Sequence, residues 1–461
     1  MRRLPGIRGK KQEILPAGYL FDNQALKRLI APLIIEQILA VTVGMVDTMM
    51  VSSVGEAATS GVSLVDMINT LLINVFAAVA TGGAVVASQY IGQKNRKRAC
   101  ESAVQLLIVT GIISLLVMGV SILFRRGLLH LLYGNLESDV MGNALVYLVI
   151  SAASYPFLAI YNSCAALFRS MGNSKISMQV SVVMNGINIF GDAVFIFGFH
   201  MGVAGAAFAS LISRMIACVI LMVRLFDPKL EITLKGTKFG WNQRIVGRIL
   251  QIGIPSGVEN SIFQLGRVIG VGFITMFGTT QIAANAVANN LDALGILPAQ
   301  AMNLALITVI GQCVGAGDYK QAEYYAKKIM KLTYLINGVC CMTVIATMPL
   351  TLKLYGLSAE TLVLAATLVL IHNGFAVLLW PASFTLTSVL RAANDVKYPM
   401  CISMLSMILV RLGFGYMLCV GQGWGALGVW AATILDWTVR VICFVRRYRS
   451  GKWKQYYRAD A

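Results

Sequence analysis

Long runs of apolar residues without an acidic or basic side chain dominate the sequence. Residues 103–124 and 332–350 form two of them, and residues 361–390 form a third in which His372 is the one ionisable residue. A helix needs about 20 apolar residues to cross a bilayer, and its backbone groups must be hydrogen-bonded within the segment. The pattern predicts an all-α membrane protein with twelve transmembrane helices, at residues 29–51, 62–90, 103–124, 143–167, 178–198, 202–223, 249–276, 283–313, 332–350, 361–390, 399–420 and 424–445.

The chain repeats itself at a shift of 223 residues. Glu36 then meets Glu259, and Gly92 meets Gly315, without a gap between them. Because each half contains six spans, both halves enter the membrane from the same side, so a pseudo-twofold axis along the membrane normal should relate them. We predict a cytoplasmic N-terminal segment at 1–28, six-helix bundles at 29–223 and 249–445, a cytoplasmic linker at 224–248 and a basic cytoplasmic tail at 446–461.

Positive charge is distributed very unevenly between the loops. The chain has 38 Lys and Arg, but all charged residues together make up only 13% of it, about half the share of a soluble domain. Of those 38 residues, 31 lie in the termini and the even-to-odd loops, whereas the other side holds Arg125, Arg126 and Lys353. By the positive-inside rule both termini are cytoplasmic. The net charge of +18 is therefore expected to contact lipid headgroups, and we predict no nucleic-acid partner.

Acidic side chains inside the predicted spans mark a candidate cation site in the first half. An ionisable group in lipid costs about 2.5–3.5 kcal/mol or more, so each needs a reason. Asp47, Asp192 and Ser210 lie about 6–12 Å below the outer surface, and Asn188 shares a helix face with Asp192. Oxygen ligands suit a hard cation, and two close carboxylates can also share a proton. The alternative is that the two acids are helix-end residues wetted by the outer interface.

The second half does not repeat these acids. A general structural need for them should recur under the pseudo-symmetry, so we interpret the first-half cluster as specialised. The equivalent positions are Gly270 for Asp47, Val410 or Arg411 for Asn188, and Phe414 or Gly415 for Asp192.

Five other charged residues inside the spans have two interpretations each. Arg267, Asp292 and Arg411 lie about 13 Å from the outer side, where they either form ion pairs or contact substrate. Glu36 and Glu259 occupy equivalent inner positions, either as substrate-facing acids or as capped structural groups.

Four segments of the chain match a known family closely. They are PLIIEQILAVTVGMVDTMMVSSVG at 32–55, LFRSMGNSK at 167–175, NIFGD at 188–192 and GVAGAAFAS at 202–210. These segments resemble the multidrug and toxic compound extrusion (MATE) transporters, in particular the bacterial branch close to the DNA-damage-inducible type. The resemblance covers nearly the whole chain.

The resemblance implies cation-coupled efflux across a bacterial cytoplasmic (inner) membrane. It assigns the cation site to Asp47, Asn188, Asp192 and Ser210, where members often have threonine at the last position, and it assigns a helix-bending role to Pro32. We expect no metal ion other than Na⁺ at these residues. Another branch has essential acids in helices 7 and 10, but here helix 10 lacks a carboxylate, so we do not transfer that second site.

We therefore predict a monomeric secondary active antiporter, not an enzyme. It would export amphipathic, mostly cationic organic compounds in exchange for Na⁺ or H⁺ by alternating access, with no cofactor besides the coupling ion. The alternative is a flippase for a lipid-linked precursor on the same fold, which needs a more basic cavity, and Arg267 and Arg411 keep that reading open. The chain lacks a His-Glu-x-x-His motif and a P-loop, so neither an intramembrane enzyme of that kind nor an ATP-driven pump is supported.

Overall fold

Twelve long helices, joined by short connections, build the molecule. The computed structural model describes residues 19–134, 136–353 and 355–457, and within these ranges the chain contains no β-strand. Residues 1–18 and 458–461 of the predicted terminal segments lie outside the described residues. The helices are α1 (Asn23–Ser52), α2 (Glu56–Gly92), α3 (Arg96–Leu123), α4 (Ser138–Ser170), α5 (Ser174–Gly198), α6 (Gly202–Leu225), α7 (Gln243–Thr275), α8 (Thr279–Gly315), α9 (Tyr319–Lys353), α10 (Ala359–Ala392), α11 (Lys397–Gly421) and α12 (Ala426–Arg449).

These helices confirm the twelve predicted spans. Eleven are long and apolar enough to cross a membrane, and α7, with 33 residues, is the twelfth. α7 is less apolar because it carries Arg248, Glu259 and Arg267 along its length. A short helix at Arg125–Tyr133 joins α3 to α4, and one 3₁₀ turn at Lys452–Gln455 follows α12.

Several helices extend beyond their predicted boundaries. α3 begins at Arg96 instead of residue 103, and α9 begins at Tyr319 instead of residue 332. The apolar run reports only the part of a helix that lies in lipid, whereas the helix continues into basic segments whose Lys and Arg are good helix formers. Asn95 fixes the start of α3, since its side-chain oxygen accepts a hydrogen bond from the backbone N–H of Arg98 at 3.1 Å.

Three helices contain π-helical turns that the apolar pattern does not predict. α5 becomes π-helical at Ala193–Gly198, directly after Asp192, and α10 does so at Pro381–Thr385. Proline accounts for the second case, because it lacks the N–H that would continue the helix ladder. α11 has two such turns, at Ser406–Phe414 and Met417–Gly421. A π turn rotates the residues that follow it, so it changes which side chains face the bundle interior.

The two halves, α1–α6 and α7–α12, meet at one end of the molecule. We call this end, which carries the loops at 93–95, 171–173, 226–242, 316–318 and 393–396, the basic face, and the other end the opposite face. The Gln312 side-chain amide donates to the Ser170 carbonyl at 2.8 Å, and that of Gln89 donates to the Ala392 carbonyl at 2.9 Å. The contact of α2 with α7 continues from this face to about the middle of the helices, at Ala78 and Gly257.

Two glycines make the closest approach between the halves possible. A Cβ atom at Gly92 would overlap the Gln312 carbonyl, and a Cβ atom at Gly315 would overlap the Gln89 carbonyl. The two contacts are equivalent under the 223-residue repeat. The absence of a side chain at both positions therefore lets α2 and α8 cross backbone to backbone at the basic face.

The connection between the halves is packed onto the first half. α6 ends at Leu225 and α7 begins at Gln243, so the connection is shorter than the predicted 224–248. The Arg96 guanidinium donates to the carbonyls of Pro228 and Leu230, at 2.7 and 2.9 Å. Farther along, the Gln105 side chain donates to the Gly240 carbonyl and accepts from the Asn242 N–H, and two apolar side chains between these anchors, Ile232 and Leu234, are fully buried.

The basic tail folds against the second half. Arg447 forms an ion pair with Asp395 at 2.8 Å, and Lys454 forms one with Glu323 at 2.5 Å. Trp453 is fully buried and its ring stacks on that of Tyr448. In the described part of the tail these basic residues therefore have intramolecular partners.

Candidate functional site

A cavity of about 200 Å³ lies between five helices of the first half, nearer the opposite face than the basic face. Its position follows from the chain: α1 and α5 bring their last turns to that face, and α6 begins there. Both acids predicted for this region, Asp47 on α1 and Asp192 on α5, line it. The lining residues are Gly44, Asp47, Thr48, Val51, Thr59, Val62, Ser63, Asp66, Tyr147, Asp192, Ala206, Ser210 and Arg214.

Asp47 and Asp192 form the centre of this cavity. Their carboxyl groups are in hydrogen-bonding contact with each other, and one oxygen of each is buried without another partner among the described residues. The Asn188 amide donates to Asp192 and to the Ser210 hydroxyl, both at 3.4 Å. The structure thus brings together the four residues predicted from sequence: two carboxylates, an amide and a hydroxyl.

The packing of α5 against α6 explains how Ser210 reaches Asn188. Gly191 on α5 lies so close to Ala209 on α6 that a Cβ atom would be 2.9 Å from the Ala209 Cβ. Asn188 and Asp192 are four residues apart, so they share the face of α5 that Gly191 leaves open toward α6. Asp192 itself is 2% exposed.

This arrangement fits a proton or a monovalent cation. Two carboxylates in contact cannot both be charged at low cost in a medium of low dielectric constant, so a proton or a cation has to lie between or beside them. The oxygens of Asp47 and Asp192 that lack a partner are the atoms available to hold it. Ser210 and Asn188 add oxygen atoms of the type that Na⁺ accepts.

Three further polar residues of the cavity were missed by the sequence analysis. Asp66 on α2 accepts hydrogen bonds from the Tyr147 hydroxyl at 3.2 Å and from the Asn69 amide at 3.1 Å. Arg214 on α6 donates to Ser154 at 2.7 Å and interacts electrostatically with both Asp47 and Asp66. The signal was present in the sequence, since Asp66 and Arg214 are charged residues inside predicted spans.

Glu36 and Glu259 form equivalent ion pairs in the two halves, away from this cavity. Arg169 contacts Glu36 at 3.4 Å, and Arg391 contacts Glu259 at 2.7 Å. A serine hydroxyl also donates to each glutamate, from Ser177 to Glu36 at 3.2 Å and from Ser403 to Glu259 at 2.8 Å. Because the same arrangement occurs twice, the geometry favours the capped structural interpretation over the substrate-facing one.

Asp292 does not pair with Arg267 or Arg411, the partners that its depth predicted. Its carboxylate lies 3.1 Å from the His372 Nδ1 atom and accepts a hydrogen bond from the Asn373 amide at 2.5 Å. Depth along the membrane normal does not tell which side of a helix a residue faces. Asp436 and Arg440, four residues apart on α12, form an intrahelical ion pair at 3.0 Å.

Pro32 lies inside α1, which continues through it as one helix. Proline removes the N–H that would bond to the Arg28 carbonyl. The Ser174 hydroxyl, at the start of α5, points to that carbonyl at 3.3 Å and to the Leu29 carbonyl at 2.5 Å. The polar groups exposed by the proline therefore have a partner on a neighbouring helix, and helix bending at Pro32 stays a prediction.

Comparison with known proteins places the chain in a family. The MatE family profile matches residues 32–194 and 255–417, one match in each half. "Uncharacterized transporter YisQ" of Bacillus subtilis is 29% identical over 95% of this chain and 98% of its own length. "Probable multidrug resistance protein NorM" of Thermotoga maritima is 26% identical over 94% and 93%.

The fold agrees with that assignment. A solved structure described as an outward-facing conformation of a multidrug resistance MATE family transporter of the MOP superfamily has a TM-score of 0.85 at 21% identity, covering 94% of this chain and 96% of that one. These relatives are transporters, so the chain is a multi-pass membrane protein and not an enzyme. The resemblance to the DNA-damage-inducible branch stays a prediction. Both halves match one family profile, and the chain belongs to the MatE (MATE) family of transporters.

Proposed function

We propose that this chain is a secondary active antiporter that exports amphipathic, mostly cationic organic compounds in exchange for Na⁺ or H⁺. Drug extrusion is supported by the family and by relatives named as multidrug resistance proteins. The observation that carries the coupling proposal is the contact between the Asp47 and Asp192 carboxyl groups, each with an oxygen that lacks another partner. We propose that the monomer is the transporting unit, since each half of the chain contains its own cavity.

The proposed orientation places the basic face in the cytoplasm of a bacterium, with the protein in the inner membrane. The excess of Lys and Arg at that face supports it by the positive-inside rule. The halves contact each other at the basic face, through Gln89, Gly92, Gln312 and Gly315. In this orientation the conformation is closed toward the cytoplasm and faces outward.

Cysteine labelling in intact cells tests the orientation. Cysteines introduced at Glu137 and Gln422, which lie exposed at the opposite face, should react with a membrane-impermeant thiol reagent. Cysteines at Lys97 and Lys238, exposed at the basic face, should react only after the cells are permeabilised. Labelling of the unmodified chain gives the background from Cys401, an exposed native cysteine. The reverse labelling pattern would overturn the proposed orientation.

The mechanism follows from the charge of the first-half cavity. A coupling ion that enters from outside neutralises the Asp47–Asp192 pair, and a cationic drug in the same region would then meet fewer negative charges. Ion binding therefore weakens drug binding and favours drug release to the outside. Drug and ion can then occupy the site in turn as the access alternates between the two sides of the membrane.

Reciprocal binding measurements test this coupling. Drug affinity should fall as Na⁺ or H⁺ saturates the site, by a factor of about 5–150, and the drug should weaken the ion by the same factor. The change Asp47→Asn should remove this dependence, because it leaves only one carboxylate of the Asp47–Asp192 pair. Imposing Na⁺ and pH gradients independently in proteoliposomes then identifies the ion. A mutant that keeps the full dependence would show that the coupling site lies elsewhere.

A second candidate function is a flippase for a lipid-linked precursor. Its support is a pair of arginines, Arg267 and Arg411, that line a cavity in the second half. A flippase would move a labelled lipid-linked diphosphate across the proteoliposome membrane and leave a cationic dye in place. The opposite outcome supports the exporter.

A further inference from the structure

The second half contains a cavity equivalent to the one described in the first half. We call them the C-half pocket and the N-half pocket. The C-half pocket is lined by α7, α8, α10, α11 and α12, and several of its residues match the N-half pocket at the same shift of 223: Ile274 with Val51, Asn285 with Val62, Asn289 with Asp66, Val429 with Ala206 and Thr433 with Ser210. The two pockets therefore occupy the same place in two copies of one bundle.

The net charge of the two pockets is inverted, because three acids outnumber Arg214 in the N-half pocket, whereas the lining of the C-half pocket contains two arginines and no acid. The three acids of the N-half pocket are replaced by uncharged residues in the second half. Positions that are uncharged in the first half carry arginine instead. The replacements are Gly270 for Asp47, Asn289 for Asp66, Phe414 or Gly415 for Asp192, Arg267 for Gly44 and, at the shift of 223, Arg411 for Asn188.

Neither arginine has an anionic partner among the described residues. The Arg411 Nη1 atom is buried without a hydrogen-bond acceptor, and the guanidinium lies 5.2 Å from the ring centre of Phe263. Asp436 is close enough to act on Arg411 electrostatically, but its Oδ1 atom is held by Arg440 and Ser406, and its Oδ2 atom makes no hydrogen bond to Arg411. A buried charge without a partner is unfavourable because it has lost its hydration. An anionic group in this pocket would offset that desolvation cost and also form hydrogen bonds with the guanidinium groups.

Asp292, the acid behind the pocket wall, is paired with His372. His372 lines the pocket, and its Nδ1 atom lies 3.1 Å from the Asp292 carboxylate behind it. The His372 ring is packed between Trp430 and Trp437, at centroid distances of 5.1 and 4.8 Å. Asp292 thus pairs with His372 and with neither arginine, and the wall that His372 forms with Trp430 is aromatic.

The size of the pocket limits what it can hold. Its volume is about 80 Å³, which suits a carboxylate and adjoining atoms but not a whole drug molecule. Guanidinium groups bind carboxylates through two parallel hydrogen bonds, and the Trp430 face can contact an attached ring. Other polar groups of the wall are occupied, since Asn285 accepts from the Trp430 indole at 2.9 Å and Thr433 donates to the Val429 carbonyl at 3.0 Å.

We infer that the C-half pocket is a second binding site, in which Arg267 and Arg411 hold a carboxylate of the transported compound. This inference rests on the proposed export function and narrows its substrate class. The preferred compound carries an aromatic body with both a cationic group and a carboxylate, so that its two charges match the two halves. Arg411 and Arg267 are then specificity-determining residues.

A pair of dyes that differ only at the carboxylate tests the inference. Rhodamine 110 has a free carboxylate, and rhodamine 123 is its methyl ester. Binding of each dye to the purified full-length chain in nanodiscs is measured by equilibrium dialysis followed by extraction. The change Arg411→Asn, which installs the residue of the first half, should weaken rhodamine 110 by about tenfold or more and leave rhodamine 123 within about twofold. Arg267→Gln should act in the same direction, and Arg411→Lys should retain part of the preference.

Controls separate this result from damage to the protein. Arg126→Gln removes an exposed positive charge from the helix between α3 and α4, outside the pocket, and should change neither dye. A thermal unfolding scan of each variant shows whether it is folded. If Arg411→Asn is misfolded, Arg411→Lys replaces it in the comparison. Equal weakening of both dyes by Arg411→Asn and by Arg411→Lys would overturn the inference.

Three further outcomes distinguish the source of the anionic group and separate a failure of this inference from a failure of the proposed function. If short-chain phosphatidic acid binds in an Arg411-dependent way and rhodamine 110 does not, the pocket takes a lipid phosphate and the carboxylate assignment is overturned. If rhodamine 123 is exported in an Asp47-dependent way but Arg411 has no influence on the preference between dyes, the inference fails and the exporter stands. If neither dye is exported by the unmodified chain, the proposed function itself fails.

Discussion

Replacing Asp47 or Asp192 by asparagine should lower coupled transport by about 100-fold, near the upper range of coupling between two sites, with the protein still inserted in the membrane. The reason is the contact between the two carboxyl groups, which needs both members to hold a proton or a cation. Asparagine keeps the shape of aspartate but has no negative charge, so it cannot bind and release a proton or share a cation with the remaining carboxylate. Transport is measured as dye efflux from proteoliposomes under an imposed ion gradient.

A matched control uses an acid on the same side of the molecule. Asp139 is exposed in the first turn of α4 at the opposite face, so Asp139→Asn should leave transport within about twofold, because exposed charges contribute little. Ser210→Ala removes one oxygen ligand and should give an intermediate loss. If Asp47→Asn behaves like Asp139→Asn, the two acids are helix-end residues at a wetted interface, which is the alternative that the sequence left open.

Adding one methyl group at Gly92 or Gly315 should stop the basic face from closing. A Cβ atom at either position would overlap a glutamine carbonyl of the other half. Overpacking of this kind costs about 1–3 kcal/mol, which shifts a conformational equilibrium by roughly 5–150-fold. Alanine is a better helix former than glycine, so Gly92→Ala and Gly315→Ala should not weaken the helices themselves. Transport should fall because the conformation that is closed at the basic face becomes rare.

Accessibility of Ser88 measures this shift directly. Ser88 is fully buried where α2 meets α8 near Gly311, so a cysteine there should be protected from thiol reagents in the otherwise unchanged chain. In the Gly92→Ala background the same cysteine should react. Gly119→Ala is the control, because a Cβ atom at Gly119 meets nothing within 4 Å. Protection of the cysteine in all three backgrounds would show that the halves adapt to the added methyl group.

The sequence predicted the spans and the first-half cluster for a simple reason. Helix rise is constant, so counting residues from a predicted helix end gives depth, and depth places Asp47, Asp192 and Ser210 at one level. The internal repeat then distinguished this cluster from structural acids, since Gly270 occupies the place of Asp47 in the second half. These arguments need no knowledge of how neighbouring helices are rotated.

The contacts that the sequence did not predict depend on how neighbouring helices are rotated about their axes. Asp292 and Arg267 lie at one depth, but Asp292 faces His372. Asp66 reaches the cavity because α2 turns that face toward Tyr147 on α4, which no apolar pattern encodes. The π turn after Asp192 also changes the facing of the last residues of α5. Rotation and local widening of helices come from packing between distant segments, so a single sequence does not reveal them.

The connection between the halves, at residues 226–242, is fixed to the first half and is not a free linker. Arg96 and Gln105 hold it against α3 up to Asn242, so the first free rotation lies at the start of α7. α7 has 33 residues and is about 50 Å long, so tilting it by about 10° around that pivot moves its far end by roughly 9 Å. The separation of the helix ends at the opposite face can thus change while the pivot itself hardly moves.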